Sequence, residues 1–263
     1  MKVHHLNCGT ISPRYPHLRS LVYCLLVETD DGPILVDTGF GLQDYEKPTL
    51  MMDAFMQWVG VPRKVEETAV HQVESLGYDP QDVKHIVLTH LHLDHAGGMR
   101  DFPHANIHLF KGELDSATHP QTLLERGCDA SHWAHGPNWV LYDRENGEWF
   151  GFPRIDILEG ISPQMHLVPL PGHTRGHCGV AVSTTNGWIF LCGDAANPFH
   201  KEVDIHGHPV DMQPLNVLPG WLAYNFCGPH VPGLRRLVKE HGDEIDVFSS
   251  HDIYSFEKNV NAA

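Results

Sequence analysis

The sequence predicts a single α/β domain over residues 1–263, in which two sheet halves alternate with helices. Three observations carry that expectation. Tight-turn signals join apolar runs into hairpins in both halves of the chain. Several short apolar runs end directly at a histidine or an aspartate. Stretches with helical spacing of apolar residues lie between these runs, and no linker, low-complexity tract or internal repeat divides them.

In chain order, LVYCLLVETDDGPILVDTG (residues 21–39) reads as two strands joined at Asp31-Gly32. The stretch from Pro48 to Val59 places Leu50, Met51, Phe55, Trp58 and Val59 at helix-compatible spacing, and a second helix is expected from Val65 to Leu76, stopping at Gly77. The β-branched run VKHIVLTH (83–90) is a strand that ends at a histidine-rich loop. Ile107–Phe110 and Met165–Val168 are shorter strands, and KGELDSATH (111–119) is a helix. CGVAVSTTNGWIFLCGD (178–194) repeats the hairpin signal with Asn186-Gly187 at its turn. VPGLRRLVKEHG (231–242) is a helix between a proline and a glycine, and Ile245–Phe248 is a last strand that runs on to His251.

Hydrophobic residues make up 41% of the chain, enough for a sizeable core. Eighteen Lys and Arg stand against 33 Asp and Glu, and the net charge of −15 repels polyanions, so nucleic acid is not an expected partner. No run approaches the roughly 20 apolar residues of a membrane helix. The start MKVHHLNCGTISP breaks its apolar stretch with His, Asn and Gly, unlike a signal peptide, so a cytoplasmic protein is expected. The six cysteines are scattered without CxxC spacing, and disulfides are not expected; Cys24, Cys178 and Cys192 fall inside apolar runs as small core residues. Of 22 histidines, His4, His5, His104, His108, His119, His206 and His208 lack a ligand-like context and are expected at the surface.

THLHLDHAGG (89–98) is different. His90 and His92 are two apart and face the same side in extended chain, while Asp94 and His95 follow at the turn. A divalent metal ion asks for several converging N and O donors, and one pair here can serve one ion while the other turns toward a second. The remaining donors are expected on other strand-end loops: His173 in LPGHTRGH, Asp194 in FLCGDAA and His251 in FSSHD. Asp194 offers a carboxylate that can bridge two ions. The seven donors come from four loops, each just after an apolar run. Ser249-Ser250 lacks the acid partner and sharp turn of a serine nucleophile.

These pieces, with ILVDTG at 34–39, PGHTRGH at 171–177, CGD at 192–194 and SSHD at 249–252, resemble the metallo-β-lactamase superfamily over nearly the whole chain. The resemblance implies an αββα sandwich of two mixed sheets flanked by helices, with metals on one edge. It implies that His90, His92 and His173 hold one ion, Asp94, His95 and His251 a second, and that Asp194 bridges them. Asp37 would orient a ligand rather than bind metal, and His177 matches a residue the family keeps without using it as a ligand. Zn2+ is the expected ion for both positions, with Mn, Fe or Co also suited to such donors.

Two close cations make hydroxide available at neutral pH, and the expected reaction is its attack, as a metal-bridging hydroxide, on a lactone or related ester carbonyl. Asp94 is the candidate proton shuttle to the leaving oxygen. A carboxylate at 194 argues against true β-lactamases, and the acidic surface argues against the family's nucleases. Only 12 residues follow His251, which leaves no room for the helical domain of hydroxyacylglutathione hydrolases. The 21-residue step from His173 to Asp194 is similar to that of the quorum-quenching N-acyl-homoserine lactonases. Those enzymes commonly carry a Tyr three residues after the bridging Asp; here that position is Asn197, and Tyr224 is a candidate replacement. The rival readings are a thioesterase or organophosphate hydrolase on the same site, a mononuclear iron sulfur oxidoreductase, and a non-catalytic metal-binding module.

The segment 48–62, rich in Met, Phe and Trp, is expected to form a lid or a homodimer interface, as in related lactonases. Segments 120–165 and 195–225 are expected as pocket-side loops. Trp133, Trp149 and Phe150 are candidate substrate contacts, although 132–152 reads equally well as core.

Overall fold

In the computed structural model, which describes residues 2–13, 19–196, 205–207 and 228–262, the chain forms two compact units, both assembled from non-contiguous segments. The first comprises Met1–Leu109, Gly127–Leu141 and Ile253–Ala263; the second comprises Phe110–Arg126 and Tyr142–Asp252. Each is built on one six-stranded mixed sheet.

The sheet of the first unit follows chain order: β1 (Val3–Ile11), β2 (Ser20–Val27), β3 (Ile34–Val36), β4 (His85–Val87), β5 (Asn106–Phe110) and β6 (Asn138–Tyr142). The Asp31-Gly32 hairpin sets β2 antiparallel to β3, whereas β3, β4 and β5 run parallel. All eight residues of β2 are buried, as expected for a strand covered on both faces. The C-terminal helix α6 (Ile253–Ala262) packs on β1 and β2, with Phe256 edge-on to the Tyr23 ring at 5.1 Å. β1 carries no apolar alternation that would reveal it; a register shift between Asn7 and Thr10 breaks its periodicity.

Four more helices follow the expected order, with two differences. The helix expected from Pro48 begins two residues later, because the Thr49 hydroxyl accepts the Met52 amide and caps α2 (Leu50–Val59). The stretch 65–76 is not one helix. A 3-10 turn at Val65–Glu67 ends at an extended Thr68, and α3 (Ala69–Ser75) starts afresh. The cause is tertiary: the Glu67 carboxylate accepts the Thr10 amide at 2.7 Å and the Thr10 hydroxyl at 2.8 Å, which ties the turn to β1. The five-residue α1 (Leu42–Glu46) precedes α2 and was too short to read from periodicity.

The second unit orders its strands β12 (Ile245–Phe248), β11 (Gly187–Leu191), β10 (Cys178–Thr184), β9 (Met165–Pro169), β8 (Phe152–Ile157) and β7 (Gly147–Trp149). The Asn186-Gly187 hairpin makes β10 and β11 antiparallel, β9 is antiparallel to β10, and β12 is parallel to β11. Hence β9, β11 and β12 point the same way, and the loops after all three lie at one sheet edge. Helix α4 (Lys111–Thr118) begins this unit, and α5 (Val231–His241) buries Leu234 and Leu237 in a core of Phe152, Phe190 and Val247. Burial of each such leucine contributes about 1.5–3 kcal/mol.

Cys24, Cys178 and Cys192 are buried core residues as expected. His108 is not at the surface: it lies on β5, buried, with Nε2 2.9 Å from His85 Nδ1 on β4; His4 and His5 on β1, His104 and His206 are half-buried, and His208 lies outside the described residues. Neighbouring parallel strands bring the first pair together, a contact that single-residue context does not reveal.

Candidate metal centre

After β4 the first unit turns through Thr89–His95. Leu91 and Leu93 alternate into the core, and this places His90 and His92 on the other side, with ring centroids 4.7 Å apart. The His95 ring lies 4.0 Å from that of His90. Within this loop, His90 with His92, His90 with His95, and Asp94 with His95 each bring donor atoms within 4.8 Å of one another. All four side chains are buried.

Asp37, at the end of β3, sets the tautomers of this loop. Its backbone takes a positive φ of 56°, and its fully buried carboxylate receives three donors: the Thr89 amide at 2.8 Å, the Thr89 hydroxyl at 2.8 Å and His95 Nδ1 at 3.0 Å. Because the Thr89 hydroxyl spends its proton on Asp37, it accepts from His90 Nδ1 at 2.9 Å. Both imidazoles are thereby fixed as Nδ1–H tautomers, and Nε2 is the atom each offers as a ligand. Asp37 orients His95 directly and His90 through Thr89, the first residue of the motif, which carries no ligand signature of its own.

The Ala-Gly-Gly tail is explained by close approach. A Cβ on Gly97 would lie 2.1 Å from Asp44 Oδ2, and one on Gly98 would lie 2.6 Å from the Thr38 carbonyl oxygen. Asp44 is itself buried and fixed by the Gly41 amide, Arg100 and His132.

In the second unit, His173 follows β9, Asp194 follows β11 and His251 follows β12. The register Leu191↔Phe248 continues beyond the strands, as the Ser250 amide donates to the Gly193 carbonyl at 3.1 Å. Asp194 therefore lies between two histidines, with Oδ2 3.3 Å from His173 Nε2 and Oδ1 3.4 Å from His251 Nε2. One carboxylate oxygen toward each imidazole is the disposition of a bridging ligand. His177 holds this aspartate from behind: Nδ1 donates to the Leu170 carbonyl at 3.2 Å and Nε2 accepts the Asp194 amide at 2.9 Å. With both nitrogens used by the backbone, His177 acts on position and not as a ligand.

The donor chemistry in both units fits divalent metal ions. Neutral imidazoles offering Nε2, buried beside carboxylates, are the ligands that Zn2+ and similar ions take. Burial pushes the thiols of Cys178 and Cys192 up, so neither offers a thiolate at neutral pH.

Of the five candidate substrate contacts, three lie among the described residues. Trp149 is in the core of the second unit, 4.8 Å from the Phe190 ring and 5.7 Å from that of Trp188. Phe150 packs on Trp149 and on His241. Trp133 is half-buried at the end of a 3-10 turn in the first unit. Asn197, Tyr224 and most of 195–225 lie outside the described residues. Among the described residues, no helix is long and apolar enough to cross a membrane.

A family model described as the Metallo-beta-lactamase superfamily matches residues 18–223. A probable metallo-hydrolase of Mycobacterium tuberculosis is 45% identical over 203 residues, covering 74% of this chain and 62% of that protein. The chain thus matches less than two thirds of the length of this relative. An N-acyl homoserine lactonase of a Bacillus species is 31% identical over 199 residues, 73% of this chain and 71% of that protein. Among solved structures, an N-acyl homoserine lactone hydrolase with the product N-hexanoyl-L-homoserine bound at its catalytic metal centre shares the fold, with a TM-score of 0.67, 23% identity, and coverage of 100% of this chain and 96% of that one.

Proposed function

We propose, from the premise that the chain belongs to the metallo-beta-lactamase superfamily, that it is a dinuclear metal-dependent hydrolase of lactones or related esters. The observation that carries this reading is the carboxylate of Asp194, which presents one oxygen to His173 and the other to His251. In this reading His90, His92 and His173 would hold one ion, Asp94, His95 and His251 the other, and Asp194 would be their shared ligand. Zn2+ suits these donors best. The lactonases among the relatives support the substrate class.

Divalent ions held there would supply hydroxide at neutral pH and polarise the carbonyl. The chain does the rest. Asp37 and Thr89 hold His95 and His90 in the ligating tautomer. Asp94 is nearly buried, with Oδ1 3.8 Å from His95 Nε2, and its carboxylate takes the proton of the attacking water. As the ring C–O bond breaks, Asp94 delivers that proton to the leaving oxygen, and a hydroxy acid is the product. The exposed Leu50 (88%) and Trp58 (74%) on α2 support a homodimer through 48–62.

The test is acid release by the purified, metal-loaded chain from a panel of lactones, thioesters and aryl phosphotriesters. Lactone turnover that is abolished by chelation and restored by Zn2+ is expected. Turnover of thioesters alone would remove the lactonase reading, and one iron per chain would favour a sulfur oxidoreductase.

A further inference from the structure

The loop that carries His173 is gripped by two acidic residues that the mechanism does not use. Glu113, in the first turn of α4, is fully buried and accepts the Thr174 hydroxyl in a short hydrogen bond. Burying a carboxylate is costly, and near a helix N-terminus with a hydroxyl donor the cost is offset. On the other side, Arg175 Nε donates to Glu125 Oε1 at 2.8 Å, and a terminal guanidinium nitrogen donates to the His119 carbonyl at 2.9 Å. Glu125 is itself buried and accepts the Gln121 amide at 2.6 Å. Burial alone would push its carboxyl up; the Gln121 amide and Arg175 outweigh that and hold it below the usual carboxylate range, so it stays charged.

Contact between the backbones closes the grip. A Cβ on Gly176 would lie 1.9 Å from the Glu113 amide nitrogen and 2.2 Å from the Gly112 carbonyl carbon. The loop therefore rests directly on α4. Thr174 and Arg175, the two residues after His173, are anchored to two separate acids, and this leaves the His173 backbone little freedom to turn.

We propose that Glu113 and Glu125 are positioning residues for His173, a two-point clamp that sets how tightly the ion shared with His90 and His92 is held. The inference rests on the dinuclear reading above. It assigns α4 and the 3-10 turn at Leu124–Arg126 to the metal centre, although neither supplies a ligand. It also assigns an asymmetry: the clamp acts on one ion and leaves the ion of Asp94, His95 and His251 alone.

The experiment is Zn2+ competition against a chromophoric chelator, resolving two binding steps, for the wild type, Thr174→Val, Arg175→Met and Thr174→Ser. Thr174→Val and Arg175→Met are expected to weaken one step by about 10–100-fold and to leave the other nearly unchanged. Thr174→Ser keeps the hydroxyl and is expected to bind like the wild type. Melting of the metal-free proteins shows whether a variant is folded, and the visible spectrum of the Co2+ forms reports which coordination sphere is disturbed. Equal weakening of both steps, or two unchanged steps in Thr174→Val and Arg175→Met, would overturn the clamp while leaving the dinuclear reading intact. A wild-type chain that binds no ion overturns that reading, and this inference with it.

Discussion

His95 Nδ1 lies 3.0 Å from Asp37 Oδ2, and neither side chain is exposed to solvent. The same carboxylate receives the Thr89 amide and hydroxyl, so one buried charge organises the loop that carries four candidate ligands.

Asp37→Asn tests this arrangement without straining the backbone, because Asn tolerates the positive φ that Asp37 adopts. Loss of the charge weakens the hold on the His95 tautomer. Affinity for the ion at His95 is expected to fall about 10–100-fold, as for other partners that orient metal-binding histidines. Zn2+ competition titration measures it, and an unchanged affinity contradicts the role.

His177 makes two backbone hydrogen bonds and no metal contact in this reading. His177→Leu leaves the buried Asp194 amide and Leu170 carbonyl without these partners, an expected loss of about 1–3 kcal/mol in urea unfolding of the metal-free protein. If His177 were a ligand instead, the metal-free protein would keep its stability and only metal content would fall.

Gly97→Ala forces a Cβ within 2.1 Å of Asp44 Oδ2, an oxygen already held by the Gly41 amide. The carboxylate cannot move without losing its partners, so a destabilisation of about 2–3 kcal/mol is expected. Urea unfolding midpoints of wild type and variant measure it, and a variant within experimental error of wild type contradicts the packing described.

Acid sensitivity is expected from the His85–His108 pair. Burial, and next to it the charge of His85, pushes His108 down to about 4 from 6.5. His85, facing Asp31 and Lys84, is lowered by burial as well. The fold thus favours neutral His108. This contribution to stability is complete above pH 6.5 and is lost as the pH falls through about 4. The amount is on the order of 1–3 kcal/mol. His108→Asn removes the titration, so its melting temperature should fall less than that of the wild type between pH 7 and pH 4.5. Parallel curves for the two proteins would contradict it.

Much of the candidate site was legible because its potential donors follow apolar runs. β4, β11 and β12 were visible as short hydrophobic strands, and His90, Asp194 and His251 follow them within a few residues. What escaped depends on distant partners. β1 hides behind its polar residues and a register shift. Thr68 interrupts an apparently continuous helix because Glu67 is drawn to Thr10. The segment 120–165 reads as pocket-side loops in sequence yet carries β6, β7 and β8, and Trp149, which reads equally as pocket or core, is buried against Phe190. Thr89, Glu113 and Glu125 show their roles only once a loop has folded against them, since their partners lie between 50 and 61 residues away in sequence.

The most direct measurement is the metal content of the wild type and of Asp194→Ala, after equilibration with Zn2+ and removal of loosely bound ions. Two ions per chain in the wild type and at most one in the variant is the expected result. Two ions retained by Asp194→Ala would contradict the bridging carboxylate and the dinuclear hydrolase built on it.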